Sequence, residues 1–375
     1  MADEQNQITG IIPVQAGVPE VVTPAPASPN ITLDQLVTLA IDQDASDIHF
    51  GEGSRIALRK GGSFVFIENV DALSKEEVEA MINTMVTDIA EQRRLETVRE
   101  LDFSYVHPTG VSFRVNAYYA QGRLQASMRM ISKHLPTVDQ IGIPEVMKKA
   151  LTLEEGLILV TGSTGSGKST SVQAMLQYVN ENLVYHIITI ENPIEYIFRE
   201  EKSLFSQREI GKDTLTFPNA LHAASREDPN LIMISEINDS DTLDAVLSLV
   251  ESGHLVIATM PTKNIKQTIE HVITMYPKEE QAIMLDRLSE NLAVIMSQDL
   301  LNRIDEQGRV AVYEVLLANK AAKHVIKHAT LDQLRTVMES GAQEGMITMD
   351  TYAYQLAQNG IISQEDVKMF REENE

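Results

Sequence analysis

The chain has 375 residues, with 31 basic and 54 acidic side chains and a formal net charge of −23. Such a charge argues against broad, non-specific binding to nucleic acid or anionic lipid, so any phosphate ligand must be held by a specific pocket. There is no cysteine, which excludes disulfides, thiolate nucleophiles and cysteine zinc sites. Neither a secretory signal nor a long apolar run is present, which predicts a cytoplasmic protein without a transmembrane segment.

Proline and small or polar residues dominate the first 30 residues of the chain. Such a composition buries too little apolar area to offset the entropy lost on ordering. We therefore predict a flexible Pro-rich tail over residues 1–30. Whether this tail is a docking segment or a plain linker stays open.

Residues 31–135 read as a small α+β domain. Thr32 is a predicted N-cap for a helix whose apolar residues recur at helical spacing, and a single long helix is predicted over residues 74–97. Strands are predicted at residues 55–58 and 63–67, around a turn at Gly61 and Gly62, and then at residues 102–106, 112–119 and 125–131.

The pattern changes from residue 136 onward, where apolar runs alternate with helical segments. Buried parallel strands are predicted at residues 156–161, 185–190, 231–235 and 255–259, with crossover helices at 169–180 and 242–251. This alternation is typical of a doubly wound, mainly parallel α/β sheet. Helical patterns dominate from about residue 268, broken by a predicted strand pair near Leu301 and at residues 310–317.

A phosphate-binding loop follows the first of these strands. The sequence fits G-x-x-x-x-G-K-S/T at every fixed position, which predicts ATP binding by Gly162, Ser163, Thr164, Gly165, Ser166, Gly167, Lys168 and Ser169, with Thr170 beside them. Glycines let backbone amides curl round the phosphates, Lys168 reaches the β- and γ-phosphates, and the Ser169 hydroxyl can ligate Mg²⁺. The alternative, a chance glycine-rich turn, does not explain the strand before the loop and the helix after it.

Two glutamates stand at predicted strand ends, where ligands of such sheets bind. We assign Glu236 to the attacking water, as the group that orients or deprotonates it, and Glu191, with Ser169, to the shell of the Mg²⁺ ion. In the alternative reading, each carboxylate only caps the following helix. His254 begins the fourth strand, and taken alone it is best explained as a structural histidine.

With these residues placed, the chain resembles the retraction ATPases of type IV pili, the PilT and PilU branch of the type II/IV secretion ATPases. Beside the phosphate loop, residues 191–196 resemble the aspartate box, residues 226–229 with 234–239 the Walker B region, and residues 252–255 with 259–262 the histidine box. Further matches are residues 45–49 and 113–116 in the N-terminal part, and residues 207–210 and 345–350 later in the chain.

The resemblance implies a PAS-like domain over residues 31–135 and a RecA-like ATPase domain with a C-terminal helical region over residues 136–375. It implies a homohexamer with ATP between the two domains, Arg114 and Arg129 neutralising γ-phosphate charge, and His254 in the catalytic set. The implied partners are an inner-membrane pilus platform protein and, in some systems, a paralogous retraction ATPase. The implied location is the inner membrane at the pilus base, and the implied process is twitching motility.

Three residues depart from the family motifs. Asn192 replaces an aspartate of the aspartate box, Asn238 replaces the arginine after the Walker B glutamate, and Pro261 replaces the second histidine of the histidine box. They leave open a slow or non-hydrolysing accessory ring subunit as an alternative to a retraction motor. A pilus assembly or type II secretion ATPase is a third reading, although those relatives usually carry a tetracysteine zinc module.

Overall fold

The structure, a computed structural model, describes residues 31–60, 63–131, 135–305 and 308–372. The predicted tail over residues 1–30 and the predicted Gly61–Gly62 turn lie outside these residues. The chain divides into a smaller unit, Met1–Arg99 with Tyr118–Ala126, and a larger unit, Glu100–Ala117 with Ser127–Glu375. The domain boundary near residue 135 stays a prediction.

The described residues of the smaller unit form three helices. The first, α1 (Leu33–Asp42), begins with the predicted cap, since Thr32 and Gln35 each accept a hydrogen bond from the other's backbone N–H. The single helix predicted over residues 74–97 is wrong: α2 (Lys75–Met85) and α3 (Ile89–Val98) are separate. The helix breaks because Val86 is extended and Asp88 caps the second helix through the Ala90 N–H.

A six-stranded sheet has the order β3-β2-β1-β6-β5-β4. Its strands are β1 (Asp47–Gly51), β2 (Ala57–Lys60), β3 (Ser63–Phe66), β4 (Glu100–Val106), β5 (Ser112–Ala120) and β6 (Arg123–Ile131). Five of these were predicted, with shifts of a few residues at their ends. Strand β1 was not, because it is only five residues long and two of its positions are Asp47 and Gly51, residue types that are depleted in strands.

The larger unit holds a seven-stranded sheet of order β13-β12-β7-β11-β10-β8-β9. Its strands are β7 (Gly156–Thr161), β8 (His186–Glu191), β9 (Leu204–Glu209), β10 (Leu231–Ile234), β11 (Leu255–Met260), β12 (Leu292–Asn302) and β13 (Arg309–Leu317). Neighbouring strands are parallel except for β12 and β13, which pair antiparallel at one edge. This order confirms the predicted doubly wound, mainly parallel fold.

Helices cover both faces of this sheet. They are α4 (Glu145–Ala150), α5 (Lys168–Asn182), α6 (Phe217–Ala224), α7 (Ser240–Glu251), α8 (Ile265–Thr274), α9 (Lys278–Asn291), α10 (Lys320–Lys327), α11 (Leu334–Ser340), α12 (Met349–Gln358) and α13 (Gln364–Glu372). Three apolar clusters result: one with α6 to α11, one with α4 and α5, and a smaller one with α12 and α13. All residues of β7 and β11 are buried, which explains why their sequences are continuous apolar runs. None of the helices that the structure describes is both long and apolar enough to cross a membrane.

Candidate nucleotide site

A cavity of about 570 Å³ lies at the carboxyl end of the seven-stranded sheet, within the larger unit. Five elements contribute to its polar wall: the phosphate loop with the start of α5, the ends of β8, β10 and β11, and strand β5. The predicted residues that line it are Arg114, Thr164, Gly165, Gly167, Lys168, Ser169, Thr170, Glu191 and Glu236. The fold therefore brings most of the predicted site to one place.

Two glycines fix the shape of the phosphate loop. Gly162 and Gly167 have φ angles of 152° and 89°, a region that other residues rarely adopt. A Cβ at Gly162 would collide with the carbonyl oxygen of Gln298 and the hydroxyl of Ser166, and one at Gly167 would meet the Gln298 side chain at 2.7 Å. Gly162 and Ser166 thus shape the loop rather than line the cavity, and Ser163 lines a separate cavity of about 160 Å³.

The first turn of α5 is suited to hold an anion. Gly167 stands at the N-cap and offers no side-chain oxygen to the backbone N–H groups that follow. Those N–H groups have no partner within the helix, and together with the helix dipole they favour a phosphate group in front of them. The phosphate loop and the first turn of α5 therefore provide backbone hydrogen-bond donors to the cavity.

Lys168 is held by the loop it belongs to. Its ammonium donates to the carbonyl oxygens of Gly162 at 2.6 Å and Ser163 at 3.0 Å. Burial lowers the pKa of Lys168, while the negative charges of Glu236 and Glu195 act in the opposite direction. The lysine is thus a fixed positive charge close to the carboxylate assigned to the water.

Glu236 lies two residues after the end of β10 and is partly exposed toward the cavity. Its Oε2 accepts a hydrogen bond from Nδ2 of Asn238 at 2.9 Å, so one of the departures from the family motifs contacts the predicted catalytic carboxylate. Glu236 does not cap a helix, since α7 is capped by Asp239 through the Thr242 N–H at 2.7 Å. The alternative reading of Glu236 as a helix cap is therefore wrong.

Glu191 is much less accessible, with an exposed fraction of 3%. Its carboxylate accepts hydrogen bonds from the Thr189 hydroxyl at 2.6 Å, the Gln207 amide at 3.3 Å and the Glu195 N–H at 3.3 Å. Burial raises the pKa of Glu191 to about 7 despite these donors. The residue orders the segment after β8 and lines the cavity wall with little of its carboxylate left free.

The residues at the cavity fit a nucleotide-bound Mg²⁺ ion better than a metal held by the protein alone. Among the described residues, no three His, Asp or Glu side chains cluster as a metal site. Mg²⁺ commonly takes one or two protein ligands and completes its shell with substrate phosphates and water. The Ser169 hydroxyl and the two glutamates line one cavity, which meets that requirement.

The two predicted arginines lie near each other in the larger unit. Arg114 lines the nucleotide cavity, and both Arg114 and Arg129 line an adjoining cavity of about 540 Å³. The two cavities share Thr170, Gln173 and Glu195 in their walls. Arg129 does not line the first cavity, so of the two predicted arginines Arg114 alone lines the cavity that contains the phosphate loop.

The structure does not bring His254 to this cavity. His254 precedes β11, whereas Thr259 near the end of that strand lines the cavity, and four strand residues separate the two. The ring Nδ1 lies 3.0 Å from the Ser252 hydroxyl and 3.1 Å from the Leu249 carbonyl oxygen. This placement supports a structural histidine that closes the turn between α7 and β11, and it argues against contact with a nucleotide held at this loop.

Among the site residues that were not predicted from the sequence are three on β12 and β13. Gln298, on β12, has an exposed fraction of 2%; its amide donates to the Ser166 carbonyl at 2.7 Å and accepts from the Ser171 hydroxyl at 2.7 Å. Leu300 and Arg309, on β12 and β13, line the cavity beside Gly167. No local motif marks them, because their roles arise only when β12 pairs with β7.

A family model described as type II/IV secretion system protein matches residues 25–369. The chain belongs to this family. It is 36% identical over 336 residues to the type IV pilus retraction ATPase PilT of Pseudomonas aeruginosa, covering 90% of this chain and 97% of that protein. It is 38% identical over 298 residues to a twitching motility protein of Neisseria gonorrhoeae, covering 79% of each.

A solved structure of the same family shares the fold. The crystal structure of the pilus retraction motor PilT with bound ADP matches with a TM-score of 0.84 and 35% identity, over 91% of this chain and 97% of that one. This agreement confirms the RecA-like ATPase fold and the family resemblance drawn from the motifs.

Proposed function

We propose that the protein is an ATP-hydrolysing motor that powers retraction of type IV pili, and hence twitching motility. One observation carries this proposal: Lys168 and Ser169 of a complete phosphate loop line the same cavity as Glu236, in a chain that is PilT-like over nearly its whole length. The cavity combines donors for a triphosphate with a carboxylate for water, which is the chemistry that ATP hydrolysis requires.

The triphosphate is bound by the loop and the start of α5. Backbone N–H groups of residues 165–169 face the phosphate oxygens, and the Lys168 ammonium exchanges loop carbonyls for the β- and γ-phosphates. Leu300 and Arg309 line the wall on the Gly167 side and contact the rest of the nucleotide. The Ser169 hydroxyl and the nearby Glu191 would hold Mg²⁺, which would supply positive charge to the phosphates.

Hydrolysis is assigned to Glu236. Its carboxylate orients a water molecule for attack on the γ-phosphorus and takes up its proton, while Lys168 and Arg114 stabilise the negative charge that develops on the γ-phosphate oxygens. Arg129 lies in the adjoining cavity and reaches the phosphates when the wall that carries it moves toward the loop. His254 takes no direct part.

The assembly proposed for this motor is a homohexamer. Its place is the cytoplasmic face of the inner membrane at the pilus base, where it acts on the pilus platform protein, alone or beside a paralogous retraction ATPase. Opening and closing of each site round the ring then turns hydrolysis into movement. The −23 formal charge supports a protein partner rather than nucleic acid.

A weakly active accessory subunit is the second candidate, because Asn192 and Asn238 alter the two motifs beside Glu191 and Glu236. The purified protein is expected to release phosphate in a Mg²⁺-dependent reaction, and Glu236→Gln is expected to lower the rate by at least about 100-fold while ATP still binds. The measurements are phosphate release and titration with a fluorescent ATP analogue. Equal, slow release by both proteins would favour the accessory reading.

The same two proteins test the direction of force in cells. A deletion strain is expected to carry excess pili that do not retract, and wild type but not Glu236→Gln is expected to restore twitching. Cells without pili after deletion would instead indicate an assembly motor.

A further inference from the structure

The segment between β10 and α7 holds Asn238 rigidly beside Glu236. Within it, the Ile237 N–H donates to the Thr259 carbonyl oxygen at 2.9 Å, and Ile237 itself is fully buried. Asp239 is fixed as the N-cap of α7. The residues on either side of Asn238 are therefore held in place, which fixes the position of its backbone.

Asn238 reaches Glu236 from outside the nucleotide cavity. The amide Nδ2 lies 2.9 Å from Oε2 of Glu236, whereas Asn238 is exposed and does not line the cavity wall. The bond engages Oε2 and leaves Oε1 available to a water molecule in the cavity. Asn238 contacts Glu236 but not the cavity, so the influence argued here is the one that acts through Glu236.

We propose that Asn238 is a positioning residue that orients the Glu236 carboxylate for general-base catalysis, a proposal that rests on the function proposed above. An unrestrained glutamate samples several rotamers, and only some of them point an oxygen at the attacking water. The amide bond selects one of them. Since the donor is neutral, it orients the carboxylate without adding a second cation to the one that Lys168 already supplies.

The test separates turnover from binding. Asn238→Ala removes the donor, and Asn238→Asp keeps the shape but replaces the donor with a second negative charge. Both are expected to lower kcat, by roughly tenfold for Asn238→Ala and more for Asn238→Asp, with the Kd for a fluorescent ATP analogue unchanged within about twofold. Asn238→Gln, which keeps the amide on a longer stem, is expected to retain more turnover than Asn238→Ala.

A double-mutant cycle distinguishes positioning from a general effect on the fold. In the Glu236→Gln background, adding Asn238→Ala is expected to cause no further loss, because the group that Asn238 positions is gone. Additive losses, a parallel weakening of ATP binding, or wild-type turnover in Asn238→Ala would each overturn the proposal. If wild-type turnover does not depend on Glu236, the proposed function fails and this inference with it; if it does, only the inference is at stake.

Discussion

The seven-stranded sheet has a carboxyl edge and an amino edge, which are here the two ends of its parallel strands. The two differ in the groups that they carry. At the carboxyl edge, the loop after β7 requires left-handed glycines, Glu191 is buried with a raised pKa, and the Ser166 hydroxyl has no hydrogen-bond partner among the described residues. At the amino edge, His254 closes an ordinary turn. Gly156 and Gly253 also have positive φ at the amino edge. What distinguishes the carboxyl edge is therefore the buried carboxyl of Glu191 and the unpartnered Ser166 hydroxyl beside the nucleotide cavity, where a functional site is expected to tolerate such groups.

At the amino edge, by contrast, the backbone groups of the turn before β11 are hydrogen-bonded. The Gly156 N–H donates to the His254 carbonyl at 3.2 Å, and the His254 N–H donates to the Leu249 carbonyl at 3.3 Å. Hydrogen-bonded turns of this kind stabilise a fold without doing chemistry. The residue type alone, a histidine in a family motif, therefore says less about catalysis than the edge of the sheet at which the residue lies.

The largest effect on nucleotide affinity is expected at Gln298, whose side chain holds the phosphate loop at the carboxyl edge. Gln298→Leu leaves the Ser166 carbonyl and the Ser171 hydroxyl without their partner, so we expect the Kd for an ATP analogue to rise about tenfold, from a loss on the order of 1–2 kcal/mol. Fluorescence titration measures this. Ser171→Ala is the matched control, since it breaks only one of the two bonds, and its effect is expected to be smaller. An unchanged Kd for the ATP analogue in Gln298→Leu would show that the phosphate loop does not depend on these two hydrogen bonds.

A pH-dependent effect on stability is expected at Glu314, a second buried carboxyl, which lines the 160 Å³ cavity with Ser163. Burial raises the pKa of Glu314 from 4.5 to about 7, although the Ile265 N–H donates to it at 3.0 Å. The unfolded chain ionises this group near pH 4.5 and the folded chain only near pH 7. Its contribution to wild-type stability therefore falls as pH rises across that interval and is level above it.

Glu314→Gln keeps an acceptor for the Ile265 N–H and cannot ionise. Free energies of unfolding, measured with urea from pH 4.5 to 8, are expected to fall less steeply with pH in this variant, by an amount on the order of 3 kcal/mol over the interval. Glu191 contributes with the same sign in both proteins, so the difference between the two curves isolates Glu314. Parallel curves would mean that Glu314 ionises normally in the folded protein.

The smallest effect is expected at the amino edge. His254→Ala removes the ring contacts with Ser252 and Leu249, which costs roughly 1 kcal/mol of stability, while affinity for an ATP analogue stays within about twofold. Thermal unfolding and nucleotide titration check the two parts, and Ser252→Ala serves as the neighbouring control. Loss of nucleotide affinity in a normally stable His254→Ala protein would remove the distinction between the edges.

The sequence was most informative where a strand is central and its ligand loop is local. Strand β7 was predicted at its observed ends, because all six residues are apolar or small and the phosphate loop follows at once. Strand β9 was missed, because it is a half-exposed edge strand without a clear period. The early part of β12 was read as helix, since pairing with β7 depends on residues more than 100 positions away.

The candidate site divides in the same way. Lys168, Ser169, Glu191 and Glu236 were recognised because each lies in a short motif next to a strand end. Gln298 and Arg309 could not be, because their contacts to the loop depend on how distant strands are ordered in the sheet. The carboxylate–amide bond from Asn238 to Glu236 was likewise hidden, since the sequence shows a substitution but not its hydrogen bond.

The pairing of β12 with β13 connects helix α12 to the phosphate loop through a short chain of contacts. Tyr352 of α12 packs edge-on against Tyr313, with ring centroids 5.4 Å apart, and Tyr313 is the cross-strand neighbour of Gln298. Gln298 in turn holds the Ser166 carbonyl. Close-packed interiors have low compressibility and transmit displacement. A movement of α12 is therefore expected to be passed on to the phosphate loop.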